Sequence, residues 1–327
     1  MNKEALRIVY MGTPEFAVAP LRALVENHYR VVAVVTMPDK PVGRGMKIQA
    51  SPVKQYALSA GLPVLQPERL KDEAFLQELR SYRADLQIVV AFRMLPQVVW
   101  QMPPMGTFNL HASLLPQYRG AAPIHWAVIN GEKETGVTTF LLQHEIDTGN
   151  ILLQERIAIA GDETTGSVHD RLMALGAQLV PRTVDLLLSG RCRAVPQQDL
   201  LPASGELRAA PKLFKDNTRI DWHQPSDRIY DFVRGLNPYP AAWTTMSMTV
   251  EGRPVSVPLK IFGVSCEKAA HDLAPGSVRT DGKHWLKVAV PDGWVALERL
   301  QPAGKKPMTA SEYLRGFQQL PKDITLF

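Results

Sequence analysis

The sequence predicts an α/β protein, a doubly wound, mostly parallel sheet followed by a smaller β-barrel. Three observations carry that expectation. Leu6–Met11 (LRIVYM), Val31–Thr36 (VVAVVT) and Leu86–Phe92 (LQIVVAF) are apolar on both faces, as strands sandwiched between helices must be. Helical patterns at Phe16–Leu24, Pro52–Gly61 and Asp72–Tyr82 alternate with them, the rhythm of a parallel sheet with crossover helices. Late in the chain, Trp243–Val250, Val255–Phe262, His284–Val290 and Trp294–Leu300 are short β-like runs separated by Gly, Pro and Asp, as in a small barrel.

Taken in order, the first strand ends at Gly12, and Thr13-Pro14-Glu15 follows. Thr before Pro before an acid signals a helix start, with Thr13 as N-cap and Pro14 at the first helical position. Gly12 stands alone where a dinucleotide fold would carry G-x-G-x-x-G, so a nicotinamide oxidoreductase is not expected. Ile124–Asn130 reads as a short helix, and Val137–Leu142 and Ile151–Ile159 as strands joined by the loop His144–Gly149. Thr164–Leu188 is helical, with Val168, Leu172, Leu175 and Leu179 on one face, and Pro181 inside it should kink or divide it. Ser189–Ser204 is rich in Gly, Arg, Pro, Gln and Ser and reads as a linker. A chain of 327 residues is long for one core, so the expected domains are 1–189 and 206–327, joined by 190–205. Ile220–Asn237 looks helical or mixed.

Composition excludes several classes. Hydrophobic content of 45% with 21% charged residues describes an ordinary globular protein. The amino terminus MNKEALRIVYMG reads as a first strand, not a signal peptide, and no apolar run approaches transmembrane length, so a cytoplasmic protein away from membranes is expected. Cys192 and Cys266 are far apart and without ligand spacing, so neither a disulfide framework nor a metal site is expected, and both are read as inert. A monomer is the default expectation. The second domain holds 17 Lys and Arg against 13 Asp and Glu, an excess of four, leaving one of the net +5 for residues 1–205. That asymmetry hints at a polyanionic partner for the second domain.

The chemistry centres on Thr107–Pro123, TFNLHASLLPQYRGAAP. Asn109 and His111 sit two apart in an apolar run, so a strand turns both to one face at its end. Asp147 follows 36 residues later in a short loop between strands. A carboxylate beside an imidazole raises its basicity and fixes its tautomer. Amide, imidazole and carboxylate together suit attack of an amine on a carbonyl: donors for the oxyanion, an ionisable pair for the proton. His111 can serve as a protonated donor or as a neutral acceptor of the amine proton, and both readings remain open here.

Asn109-x-His111-x-Ser113-Leu114-Leu115-Pro116-x-Tyr118-Arg119-Gly120, followed by Asp147-Thr148-Gly149, resembles the signature of the folate-dependent formyltransferases. The likeness extends to Met11-Gly12-Thr13-Pro14. Pro38-Asp39-Lys40-Pro41-Val42-Gly43-Arg44-Gly45 and Ser51-Pro52-Val53-Lys54 resemble a basic loop of the tRNA-directed branch of that family. In the second domain, Ile220-Asp221-Trp222, Asn237-Pro238-Tyr239-Pro240 and Leu300-Gln301-Pro302-Ala303-Gly304-Lys305-Lys306 look like that branch too. The resemblance implies a Rossmann-like domain followed by an OB-like barrel that touches tRNA. It implies formyl transfer from 10-formyltetrahydrofolate to the α-amino group of methionyl initiator tRNA, for translation initiation. It also implies that Asn109, His111 and Asp147 are catalytic and that Ser113, Leu114, Leu115 and Pro116 belong to the folate-binding loop. Two departures stand out: Glu145-Ile146 precedes Asp147 where many relatives have Gly-Leu, and the segment Val90–Pro96, which borders the folate pocket in relatives, is one residue short.

Other polar residues carry plainer readings. His125, His144 and His169 are expected at the surface or satisfied in the core, Trp126 in packing, and Arg119 as a loop anchor or a substrate contact. Lys212, Lys215, Arg234, Lys305 and Lys306 form a candidate phosphate-tracking set on the second domain. In the loop Lys40–Lys47 (KPVGRGMK), Arg44 flanked by Gly43 and Gly45, with Lys40 and Lys47, is the candidate contact to the tRNA acceptor end, on a segment expected to be mobile without RNA. Formylation of a small amine, such as a sugar nucleotide or glycinamide ribonucleotide, needs neither this loop nor a long second domain. A nucleic-acid-binding module with a degenerate first domain would not need Asn109, His111 and Asp147 together.

Overall fold

The computed structural model describes residues 2–42, 47–201, 205–250, 252–317 and 322–327. Strand β1 (Ile8–Gly12) is buried along its whole length. The chain then enters a 3₁₀ turn, Glu15–Ala17, and helix α1 (Val18–Glu26). The expected Thr13 cap is corrected. Pro14 itself takes the extended residue ahead of the turn, so Thr13 lies one place too far back, and its hydroxyl is buried with no partner. Strand β2 (Val31–Val35) follows, then the antiparallel pair β3 (Lys40–Val42) and β4 (Lys47–Gln49). Helix α2 (Pro52–Ser59) begins as its sequence directs, with Ser51 Oγ accepting from Lys54 N and Pro52 in the first turn. After β5 (Val64–Leu65), helix α3 (Glu73–Ser81) is capped by Asp72.

Next come β6 (Leu86–Val90), α4 (Gln97–Trp100), β7 (Thr107–His111), the two-residue strand β8 (Arg119–Gly120), α5 (Pro123–Ile129), β9 (Glu134–Leu141), β10 (Ile151–Ala158) and α6 (Thr165–Leu188). The sheet order is β10-β9-β7-β6-β1-β2-β5. β5, β2, β1, β6 and β7 run parallel, while β9 is antiparallel to β7 and β10 to β9. The chain winds from β1 outward to β5 and then returns to the other side of β1, so the order reverses between β1 and β6. Open α/β sheets bind ligands at the carboxyl ends of the strands beside such a reversal. Pro181 neither ends nor divides α6. A proline costs the helix one hydrogen bond, and Leu172, Leu179, Val180 and Val184, all fully buried, hold the helix on either side of it.

The chain divides into two compact units: Met1–Pro123, Glu134–Ala158 and His169–Ala209 make the first, and Ile124–Lys133, Ile159–Val168 and Ala210–Phe327 the second. Residues 190–201 of the segment expected as a linker therefore belong to the first unit, where Gln197 is buried in hydrogen bonds. The longest stretch of the second unit begins at Ala210, within β11 (Ala209–Ala210), and holds helix α7 (Ser226–Gly235) and strands β12 (Ala242–Val250), β13 (Arg253–Lys268), β14 (Val278–Thr280), β15 (Leu286–Val290), β16 (Gly293–Pro302) and β17 (Met308–Thr309). Helix α8 (Ala310–Leu314) and β18 (Lys322–Leu326) complete it. The antiparallel order is β14-β15-β16-β13-β12-β18, with β17 on β16. Leu326 N donates to Gly276 O at 2.8 Å, bringing the two ends of the sheet together into a nearly closed barrel. Gly276 is required there: its φ is +87°, and a Cβ would overlap the carbonyl oxygen of Leu326. Trp222, Val233, Met246, Leu259, Ile261 and Leu300 fill the barrel, each such side chain contributing roughly 1.5–3 kcal/mol by burial.

Candidate active site

β7 ends at the carboxyl edge of the parallel sheet, flanked by β6 and β9. Its Asn109 and His111 are two residues apart on one strand and so share a face. His111 is 6% exposed and lies edge-on to Phe140 of β9. Its Nε2 sits 2.9 Å from the carbonyl oxygen of Tyr118. A carbonyl only accepts, so Nε2 carries a hydrogen in either charge state of the ring. Nδ1 is therefore the nitrogen that gains and loses a proton, and it faces Asp147 Oδ2 at 3.9 Å. That gap is too long for a direct hydrogen bond and short enough for strong charge interaction. Asn109 Oδ1 is buried without a partner. Turning the amide by 180° presents the Nδ2 donors at the same place, so the position suits a ligand atom of either hydrogen-bonding sense.

Asp147 occupies the left-handed region, with φ +55°. Its Oδ2 accepts from Gly120 N at 3.0 Å, and the main chain at and just after it is tied by Gln197, whose Nε2 donates to Asp147 O and Gly149 O, each at 2.8 Å. Arg119, beside Gly120, donates from Nε and Nη2 to Gln197 Oε1 at 3.1 and 2.6 Å. Of the two readings of Arg119, the anchoring one is what the side chain does. Gln197 was not among the residues expected here, and Tyr118 and Gly120 stand in the motif without a role of their own in the sequence. One of two Gln in PQQDL, Gln197 carries no periodic signal that separates it from a solvated residue.

Residues 113–116 leave β7 and are themselves braced. Ser113 is fully buried, its hydroxyl donates to Gln117 O at 2.7 Å, and its carbonyl accepts from Thr138 Oγ1 at 2.6 Å. Gln154 Nε2 donates to Leu115 O at 2.9 Å, and Leu115 and Pro116 are buried while Leu114 is half-buried. Beyond the end of β6, Ala91 turns the chain with φ +47°, and residues 93–98 line an open cavity of about 790 Å³ with Leu70 and Lys71. Arg93 is fixed there by donating to Pro67 O and Glu68 O, with its Nε buried and unpartnered.

The basic candidates divide. Lys40 is exposed at the start of β3 and Lys47 opens β4, so strands flank the segment expected as a plain loop; Arg44 lies outside the described residues. On the second unit Lys212, Lys305 and Lys306 are exposed. Lys215 Nζ is 5.1 Å from the Trp243 ring centre and the Arg219 guanidinium 5.6 Å from it, a cationic and aromatic cluster that charge alone did not reveal. Arg234 is removed from the phosphate-tracking set. It is 6% exposed, pairs with Asp231, and donates to Glu163 O at 2.9 Å, so it braces the second unit. Trp126 packs against the barrel core and donates to Pro211 O; His125 meets Tyr239 O, His144 is exposed, and His169 pairs with Asp170. Burial, with Asp227 and Asp292 nearby, pushes the Cys266 thiol up to about 11, away from reactivity. Among the described residues, no group of three or more His, Cys, Asp or Glu is placed to hold a metal ion, and no helix is long and apolar enough to cross a membrane.

The sequence profile described as Formyl transferase matches residues 6–184, and that described as Formyl transferase, C-terminal domain, matches 212–318. The methionyl-tRNA formyltransferase of Parabacteroides distasonis is 62% identical over 321 residues, covering 98% of each chain. That of Bacteroides fragilis is 62% identical over 317 residues, covering 97% of each. Among solved structures, HypX from Aquifex aeolicus in complex with tetrahydrofolic acid matches with a TM-score of 0.60 at 19% identity. That match covers 97% of this chain and 48% of HypX, so the chain spans about half the length of that protein and shares its fold.

Proposed function

The chain belongs to the formyl transferase family, and from that premise we propose that it moves the formyl group of 10-formyltetrahydrofolate to the α-amino group of methionyl initiator tRNA. The product is N-formylmethionyl-tRNA, used to begin translation. The full-length likeness to the methionyl-tRNA formyltransferases supports the tRNA substrate, and the folate found in HypX supports the class of donor. The observation that carries the chemistry is the approach of His111 Nδ1 to Asp147 Oδ2 at 3.9 Å, at the end of the strand that carries Asn109 two residues earlier on the same face.

The folate supplies a formyl carbon activated by its bond to N10. The α-amino group has a reference pKa of about 7.7, so a useful fraction is neutral near pH 7. As its nitrogen bonds to the formyl carbon, charge gathers on the formyl oxygen, where the Asn109 amide donates. The amine must also lose a proton. With Nε2 held by Tyr118 O, the neutral imidazole presents its lone pair at Nδ1, and the Asp147 carboxylate stabilises the cation formed when that proton arrives. The proton then serves N10 as the carbon–N10 bond breaks, so protons balance. Residues 113–116 and the cavity beside Arg93 are where this chain would hold the folate. The buried unpartnered Asn109 Oδ1 fits a site completed by its substrate. Lys40, Lys47, Arg44, Lys212, Lys305 and Lys306 are assigned to tRNA phosphates.

Asn109→Ala and Asp147→Ala are each expected to lower the single-turnover formylation rate by about 10²–10³, with tRNA and folate affinities unchanged. Near-parent turnover in either variant would remove that residue from the mechanism.

A further inference from the structure

The Gln197 side chain uses all four of its hydrogen-bonding positions, and every partner belongs to the catalytic end of the sheet. Its Oε1 meets two guanidinium N–H groups of Arg119, and its Nε2 meets the carbonyls of Asp147 and Gly149. The amide can face only this way, because a guanidinium cannot accept and a carbonyl cannot donate. Gln197 is 3% exposed, so these bonds do not exchange freely with water. Together they close a ring: Gly120 N holds the Asp147 carboxylate, Arg119 adjoins Gly120, Gln197 holds Arg119, and Gln197 returns to the Asp147 main chain. Both the carboxylate and the backbone of Asp147 are fixed from this one loop of contacts, at a residue in a backbone region that few non-glycine residues adopt.

We propose that Gln197 is a positioning residue for formyl transfer, setting the Asp147 carboxylate at its working distance from His111 Nδ1. The inference rests on the reading of Asp147 as catalytic. A displacement of the order of 1 Å in a reacting constellation can cost about 10² in rate. Gln197→Leu keeps the volume and removes all four hydrogen bonds; Gln197→Glu keeps an acceptor for Arg119 and removes both donors to the Asp147 loop. Should the first variant fail to fold, the second carries the same test.

The test measures single-turnover formylation, KM for both substrates and thermal unfolding in the full-length protein, for Gln197→Leu, Gln197→Glu, Asp147→Ala and the double variants. Either Gln197 variant is expected to lower the single-turnover rate by about 10²-fold with both KM values near those of the parent. In the Asp147→Ala background the same change is expected to cost less than about threefold, because the group it positions is gone. A general structural role would cost as much in both backgrounds, and that result overturns the proposal. A parent-like rate in Gln197→Leu beside an impaired Asp147→Ala overturns it alone, whereas a parent-like Asp147→Ala overturns the reading of Asp147 and this proposal with it.

Discussion

Gly149 admits no side chain, because a Cβ there would overlap the carbonyl oxygen of Leu141 and crowd the Phe140 ring. The loop that carries Asp147 is pressed against the end of β9 at this point, and Gln197 holds Gly149 O from the other side. Gly149→Ala must push the loop away from β9. The expected cost is about 1–3 kcal/mol of stability, typical of overpacking, together with loss of formylation as Asp147 leaves His111. Thermal unfolding and single-turnover kinetics check this, and an alanine variant with parent stability and rate would show that the contact is slack. At this scale the sequence was only partly informative. Asn109 and His111 are legible because strand geometry forces i and i+2 to one face, and Asp147 through its motif. Gln197 was not, since a polar residue among Pro, Gln and Asp looks the same solvated or buried. Arg234 misled in the opposite direction: charge suggested a phosphate contact, whereas Asp231 three residues before it and two main-chain carbonyls absorb the guanidinium.

Strands and helices were more legible than single residues, since β1, β2 and β6 are apolar on both faces and α2 and α3 carry Ser51 and Asp72 as caps. What stayed hidden followed from tertiary contact, as in residues 190–201, which belong to the first unit. The β3–β4 pair is the element on which the proposed tRNA contact falls. Its base is clamped at Asp39, which accepts from Lys54 Nζ at 2.6 Å and from Gln66 Nε2 at 2.8 Å. The bond from Lys54, then that from Gln66, hold the Asp39 carboxyl below its ordinary value. A depressed carboxyl stabilises fully above the ordinary pKa of about 4, and the contribution is lost as pH falls through the lowered value. Arg44→Ala is expected to lower kcat/KM for tRNA about tenfold or more, the scale of one charge-assisted phosphate contact, without changing folate binding. Asp39→Ala should reproduce part of that loss by freeing the base of the pair. Unchanged tRNA kinetics in both variants would take the β3–β4 segment out of the tRNA site.

Across the whole molecule, the family profiles cover both the sheet-bearing unit and the barrel, and the likeness to methionyl-tRNA formyltransferases runs through 98% of the chain. Residues 206–327 hold four of the net +5, and Lys212, Lys305 and Lys306 are exposed there, as a surface for a phosphate backbone requires. A small amine would need only the convergence of Asn109, His111 and Asp147; a charged tRNA gives the rest of the chain its use. The destination of the formyl group is therefore the most direct test of the account. The full-length protein is incubated with 10-formyltetrahydrofolate labelled in the formyl carbon, methionyl initiator tRNA, an amino sugar nucleotide and glycinamide ribonucleotide together, and the label is traced. The account predicts label on the methionyl α-amino group of the tRNA, abolished in Asn109→Ala; label confined to a small amine, with the tRNA unmodified, would contradict it.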